Sequence, residues 1–352
     1  MKQGKAFMRA VVIHAANDLR VDEMAVATPG PGQVGIRIEA GGICGSDLHY
    51  FHHGGIGTAI RLKEPMVLGH EVAGIVDTVG SGVKRVKVGD RVAVSPSRPC
   101  GSCRYCEAGR QIHCLDMRFY GSAMRFPHVQ GAFRETLVAE EGQCHIVPQA
   151  LSAGEAAMAE PLAVCLHAAR RAGPLLGKRV LVTGSGPIGA LCAIAVRRAG
   201  AAEVVATDVS DAPGAVLSQI GVDRFINVAR ETDALAGYGA DKGTFDVLME
   251  ASGNDKALVA AFDALKPQGI IVQVGLGGTA TLPINTLVAK EFELRGTFRF
   301  HEEFGLGVEL LAKGLINVKP LISATLPLTR AREAFELASD RSRSMKVQLS
   351  FS

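Results

Sequence analysis

From residue 8 to about 150, apolar positions come in short runs broken by glycine, proline and aspartate: "RAVVI", "VGIRIEA", "EVAGIVDTVG", "GDRVAVS" and "FRETLVAEEGQCHIV". Short runs bounded in this way predict strands closed into a barrel or sandwich. Near residue 155 the pattern changes. The runs "RVLVTG" (179–184), "EVVATD" (203–208), "RFINV" (224–228), "FDVLMEA" (245–251) and "GIIVQVG" (269–275) now alternate with helical segments, the clearest from about 187 to 199. That alternation predicts βαβ units on a parallel sheet. After about 297 come two more helical segments, "GLGVELLAKGLI" and "TRAREAFELAS", and a terminal strand, "MKVQLSF". The chain therefore reads as α/β: a β-rich barrel or sandwich over 1–160, βαβ units on a parallel sheet over 161–296, and a closing segment of helices and a strand over 297–352. There is no internal repeat and no low-complexity linker.

Composition changes this picture little. The chain has 352 residues, 47% hydrophobic and 21% charged, with a formal net charge of +3, the profile of an ordinary globular protein. So small a charge gives no reason to expect nucleic acid or an anionic membrane as a partner. No apolar run approaches the ~20 residues of a membrane helix. The N-terminus carries an apolar core of only Ala10 to Ile13, short of the roughly 7–15 residues of a secretory signal, so the expected location is cytoplasmic. In such a setting clustered cysteines serve metals or chemistry more often than disulfides.

Three stretches carry candidate chemistry. In "RVLVTGSGPIGALCAIAVRRAGA" the glycines Gly184, Gly186 and Gly189 open a helix directly after a strand. The first permits a tight turn, the second lets the backbone approach a pyrophosphate and the third allows close helix–strand packing. Gly184, Gly186, Pro187, Ile188 and Gly189 form this cofactor-binding turn, and the helix start offers free N–H groups to the phosphates. Asp208 ends the next strand; an acid there binds the ribose hydroxyls of NAD and repels the 2′-phosphate of NADP. NAD is the expected cofactor and NADP the second candidate. Cys100, Cys103, Cys106 and Cys114 read C-x2-C-x2-C-x7-C, enough thiolates to close a tetrahedral structural zinc site. An iron–sulfur run would end in a shorter gap and a proline, where this chain has Leu115. Lastly, "LGHEVAG" sets His70 and Glu71 side by side in an apolar run. Alone, such a pair is more often structural, but Cys44 in "GGICGSDLHY" and Glu160 in "MAEPLA" offer further zinc donors. A catalytic site needs about three and an open position.

The motifs "CGSDLH", "GHEVAGIV", "GDRVAV", the four cysteines, "EPLAV" and "GSGPIG" together resemble the zinc-dependent medium-chain dehydrogenases over nearly the whole chain. Glu160 in "EPLAV" resembles the sorbitol and polyol dehydrogenase branch. The segment "SPSRPCGSCRYCEAGRQIHCLDMRFYGSAMRFPHVQGAF" is similar to sugar-acid dehydrogenases that form 5-ketogluconate. The resemblance implies a GroES-like β-barrel catalytic domain with a structural zinc lobe over 1–160, completed by 297–352, an NAD-binding Rossmann domain with a doubly wound parallel sheet over 161–296, and two zincs per chain. It implies Cys44 and His70 as catalytic zinc ligands, with Glu71 ligating or backing the metal and Glu160 at the zinc or its water. It also implies a proton relay through Ser46 and His49, and Tyr50 and Arg299 near the substrate. Phe300 stands where that branch carries a tyrosine, a departure from plain sorbitol chemistry. A sugar-acid carboxylate calls for an arginine fork; Arg118, Arg125 and Arg299 are the candidates, while Arg61 and Lys63 read as solvated charges. Without the resemblance, Ser46 would read as a helix cap and His49 as a surface histidine. The expected enzyme oxidises a small-molecule sugar acid or polyol in the cleft between domains and forms a homodimer or homotetramer. The other readings are a sorbitol- or xylitol-type polyol dehydrogenase and a catalytically silent nucleotide sensor, which would have lost the metal ligands.

Overall fold

The computed structural model describes residues 7–231 and 233–351; the first six residues of the N-terminal segment, Thr232 and Ser352 lie outside the described residues. The chain forms two compact units. One takes in the chain up to Glu160, Phe304–Asp340 and the segment from Lys346; the other takes in Pro161–Glu303 and Arg341–Met345.

The first unit is built on a seven-stranded sheet. Its order runs Cys144–Ile146, Arg91–Val94, Glu71–Val79, Gln33–Gly42, Lys346–Ser350 and Ile322–Pro327, with Thr136–Glu140 also on Gln33–Gly42. Pairing is antiparallel except for the last two, which run parallel. A three-stranded sheet, Asp18–Ala25, Phe7–Ala15 and Met66–Val67, accompanies it. One face of these strands is apolar, and period-two alternation gathers those side chains into one core. Ile13, Ile36, Ile38, Met66, Leu68 and Phe133 are all completely buried there. The Phe133 ring meets Phe335 edge-on at 6.4 Å and Phe351 at 6.2 Å, which seals the C-terminal helix and strand onto the earlier chain.

The second unit is a six-stranded parallel sheet ordered Arg224–Asn227, Glu203–Asp208, Arg179–Thr183, Phe245–Glu250, Leu265–Gln273, Glu293–Gly296. This is the doubly wound order with its switch between the first and fourth strands. Its central strands are near-continuous apolar runs, as expected of a parallel sheet covered on both faces. Leu181, Val205, Ile226, Leu248 and Ile271 are fully buried. The helix after the glycine turn spans Pro187–Arg198, the element anticipated from about 187 to 199. Among the described residues no helix is long and apolar enough to cross a membrane.

Phe133→Ala would open a cavity between the barrel strands and the C-terminal segment. The expected loss is about 3–5 kcal/mol of stability, read as a lower urea midpoint for the first unit; an unchanged midpoint would show that the C-terminal segment docks by other contacts.

Candidate active site and metal centres

Cys44 caps the helix Gly45–His53. Asp47, in the first turn of that helix, folds back and is fully buried. Its Oδ2 accepts the backbone N–H of Cys44 at 3.0 Å and its Oδ1 that of Gly69 at 3.1 Å. One carboxylate thus ties the turn bearing Cys44 to the turn that delivers His70. Gly69 sits at φ +89°, and a Cβ there would meet the Phe133 ring at 2.1 Å, so the turn is open to glycine alone. His70 follows, 5% exposed, its ring 5.5 Å from that of Phe119.

Glu71 starts the strand Glu71–Val79 opposite Gly42, and Gly42 in turn faces Gln348 on the last strand. A Cβ on Gly42 would meet Glu71 Oε2 at 2.0 Å. The missing side chain lets the carboxylate lie across the middle strand and reach Lys346 beyond it. Lys346 Nζ donates to both Glu71 oxygens at 2.8 Å and to the carbonyl of Ile43 at 3.1 Å, which uses all three ammonium protons. Burial alone would strip the Lys346 charge; Glu71, Cys44 and Glu160 outweigh it and raise the ammonium above its ordinary value.

The donor atoms of Cys44, His70 and Glu71 all lie within 4.8 Å of one another. His70 Nδ1 is buried with no hydrogen-bond partner among the described residues, the Asp47 carboxylate standing 3.8 Å away. Thiol, imidazole and carboxylate are the donor types zinc takes. The residues therefore fit a catalytic zinc. Glu160, in the first turn of the helix Ala159–Ala172, lies outside this donor set but is 5% exposed. Burial pushes its carboxyl up to about 8, with His70 opposing and Glu71 and Cys44 adding. Burial, then Glu71, pushes the Cys44 thiol up to about 11, against the pull of Lys346.

Cys100, Cys103, Cys106 and Cys114 form the second cluster. Sulfur separations are 3.6 Å for Cys103–Cys106 and 4.0 Å for Cys100–Cys106 and Cys103–Cys114. A tetrahedron of ~2.3 Å zinc–sulfur bonds has edges of about 3.8 Å. Disulfides would be far shorter, and a multi-iron cluster would hold its thiolates farther apart. Backbone N–H groups and Cys106 lower the Cys103 thiol to about 6, and burial raises Cys106 to about 12.

In the second unit, Gly184 turns at φ +80°, and Gly189 packs so closely that a Cβ would meet the Gly184 carbonyl at 1.8 Å. A Cβ on Gly186 would meet nothing within 4 Å. Gly186 caps the helix with Pro187 in its first turn, and Ile188 offers its carbonyl to Cys165 at 3.4 Å. This is the cradle a pyrophosphate requires. Asp208 accepts the N–H of Ser185 at 2.8 Å and of Ser210 at 3.0 Å, so it also braces the turn.

The remaining anticipated residues fall in different places. Ser46 is half-buried, two residues after Cys44; His49, three residues on along the same helix, is exposed. Tyr50 is a core residue, 1% exposed, whose hydroxyl accepts the N–H of Ala123 at 2.9 Å. Phe119, not Arg118, faces His70; successive strand residues point to opposite sides. Arg118 instead lines a cavity of about 380 Å³ with Arg98, Tyr120, Arg125 and His128, and Arg125 pairs with Asp116. Arg299 lies in the second unit at φ +53°, its guanidinium 4.9 Å from the Phe298 ring. Asp47 and Lys346 were not anticipated. Asp47 could have been found from its place three residues after Cys44. Lys346 is signalled only by a lysine at an otherwise apolar edge of "MKVQLSF".

A Cys–His–Glu donor set with His70 and Glu71 buried in one unit, and a dinucleotide-type sheet in the other, define a metal-dependent, nucleotide-linked oxidoreductase. Residues 30–149 match the alcohol dehydrogenase GroES-like domain and 187–313 the zinc-binding dehydrogenase family. The chain is 45% identical over 317 residues to L-idonate 5-dehydrogenase (NAD(P)(+)) of Escherichia coli, covering 90% of this chain and 91% of that one. It is 38% identical to the sorbitol dehydrogenase of Gallus gallus, covering 97% and 95%. The crystal structure of L-idonate 5-dehydrogenase from Escherichia coli superposes with a TM-score of 0.93 at 42% identity, covering 98% of each chain. The chain belongs to the zinc-dependent medium-chain dehydrogenases, in their sorbitol and polyol dehydrogenase branch, and is an oxidoreductase of alcohols and polyols.

Lys346→Met would leave the buried Glu71 carboxylate without its cation, a change expected to cost about 3–5 kcal/mol; chemical denaturation of the variant beside its parent measures it, and equal stability would rule out a tight native pair. Zinc taken up at Cys44 must expel the thiol proton, which the folded site holds up to about 11. Affinity for the second zinc equivalent should therefore rise with pH, by roughly tenfold per unit between pH 6 and 8. Chelator competition reads this directly, and a flat profile would exclude the thiol as a ligand.

Proposed function

We propose that the protein oxidises a secondary hydroxyl of a sugar acid, L-idonate being the best candidate, with NAD as hydride acceptor and NADP as the alternative. The observation that carries the reading is the close donor set of Cys44, His70 and Glu71 in a chain 45% identical to an enzyme named for that substrate. In this reading the first unit is the catalytic domain and the second the NAD-binding domain. Cys44, His70 and Glu71, with Glu160 beside them, hold one zinc; Cys100, Cys103, Cys106 and Cys114 hold a structural one. Bound zinc supplies a Lewis acid that lowers the pKa of a substrate hydroxyl.

The chain's own groups do the rest. Asp47 holds the turns of Cys44 and Gly69 together, so thiol and imidazole arrive in fixed geometry. Lys346 holds both Glu71 oxygens in a buried place. Ser46 takes the substrate proton and His49, three residues on along the same helix, passes it to water. Gly184, Gly186 and Gly189 seat the pyrophosphate, and Asp208 takes the ribose hydroxyls. Arg299 is the proposed partner of a substrate carboxylate; Arg118, on the other side of its strand from His70, is set aside. Tyr50, with its hydroxyl engaged by Ala123, serves by shaping the wall. The location is proposed as cytoplasmic and the assembly as a homodimer or homotetramer.

A second reading, oxidation of sorbitol or xylitol, draws on the sorbitol dehydrogenase relatives. The test offers L-idonate, sorbitol and xylitol to the purified protein, each with NAD and NADP, and follows reduced cofactor by absorbance. Turnover on idonate with NAD is expected. Turnover on the polyols alone would overturn the sugar-acid reading and keep the chemistry. His70→Ala should reduce turnover to background while NADH binding persists; full activity in that variant would remove the catalytic zinc from the scheme.

A further inference from the structure

Glu250 is completely buried at the end of the strand Phe245–Glu250. That strand lies beside Arg179–Thr183, across the point where the strand order reverses. In open parallel sheets the crevice at that point is where ligands bind. Asp208 ends the neighbouring strand on one side of the glycine turn, and Glu250 ends the neighbour on the other.

The Glu250 carboxylate gathers every segment on its side of the crevice. Oε1 accepts the N–H of Ser252 at 2.9 Å, the Ser252 hydroxyl, and the Thr183 hydroxyl at 3.4 Å. Oε2 accepts the N–H of Gly253 at 3.0 Å and the Gln273 amide at 2.6 Å. The same Gln273 amide donates to the Gly275 carbonyl at 2.9 Å, and the Glu250 carbonyl accepts the N–H groups of Val274 and Gly275 at 2.8 and 2.9 Å. The three turns so gathered touch through their backbones. A Cβ on Gly184 would meet Ser252 Cα at 2.6 Å, and one on Gly275 would meet the Gly253 nitrogen at 2.2 Å. Nothing in the reaction scheme uses this carboxylate, yet the phosphate-binding turn rests directly on the loop it holds.

We propose that Glu250, braced by Gln273, is a positioning residue for the dinucleotide: it fixes the Ser252–Gly253 and Val274–Gly277 loops as the floor for the half of the cofactor remote from Asp208. The inference rests on the NAD reading above. A dinucleotide anchored by its adenosine at Asp208 and its pyrophosphate at Gly184–Gly189 must extend over the Glu250 side. AMP has no such half.

Glu250→Gln keeps size but turns an amide N–H₂ toward donors. NADH affinity, read by its fluorescence on the zinc-loaded protein, is expected to weaken by at least about tenfold. Affinity for AMP, read by competition, should stay within about twofold. Gln273→Met, which removes the brace and leaves the carboxylate, should shift NADH in the same direction by less; it decides the matter by the same readings if Glu250→Gln does not fold. Variants that bind NADH as the parent does, or that lose NADH and AMP equally, overturn the proposal. A parent that binds neither NADH nor NADPH overturns the cofactor reading instead, and this inference with it.

Discussion

The buried pair of Lys346 and Glu71 is the constraint on which the first unit depends. Both are almost fully buried, and an isolated charge in either place would be costly. Their pairing works only if three strands lie in one register, with Glu71 opposite Gly42 and Gly42 opposite Gln348, two residues along from Lys346. The return of the C-terminal segment to the sheet is therefore part of the metal site, not a closing tail. Around the pair stand the Cys44 thiol and the Glu160 carboxyl, which burial keeps protonated well beyond their ordinary range. Such a site is poised to exchange protons for a cation. Lys346 limits how much negative charge accumulates there once the cation has arrived.

Much of this was legible in the sequence, because the signals were local. The glycine turn, the strand before it and the helix after it follow from residue types a few positions apart, and the strand–helix alternation emerged within a residue or two of Arg179–Thr183, Glu203–Asp208 and Arg224–Asn227. The four cysteines sit within fifteen positions and needed no long-range folding to be read as one site. Cys44, His70 and Glu71 were harder, since only a family likeness placed them together.

What stayed hidden depended on contacts between distant segments or on which way a side chain points. Lys346 is 275 positions from Glu71, and no local pattern marks a lysine as buried. Tyr50 carries the same letter whether its hydroxyl meets a substrate or the N–H of Ala123; the helix face that packs on the core decides it. Arg118 and Phe119 are one residue apart, and the strand's alternation hands the His70 side to the ring and the cavity side to the guanidinium. An arginine for a substrate carboxylate is thus a question of orientation that composition does not address.

Two buried carboxylates show how one chemical group takes two roles. Glu71 and Glu250 each end up pressed against glycine backbone and each ties strand ends together. Glu250 is held by five neutral donors shared over both oxygens. Its lone pairs are spent and its charge is spread over N–H and O–H dipoles, so it serves as a fixture. Glu71 is held by one ammonium, a single proton on each oxygen. A carboxylate oxygen has a second lone pair, so each Glu71 oxygen still has a lone pair to give. The counter-charge makes the difference. A cation as partner balances the carboxylate while leaving donor capacity for a metal, whereas a ring of hydrogen bonds balances it by using that capacity up. The placing of Lys346, as much as that of Cys44 or His70, is what lets the first unit be a metal site while the corresponding carboxylate in the second unit is a brace.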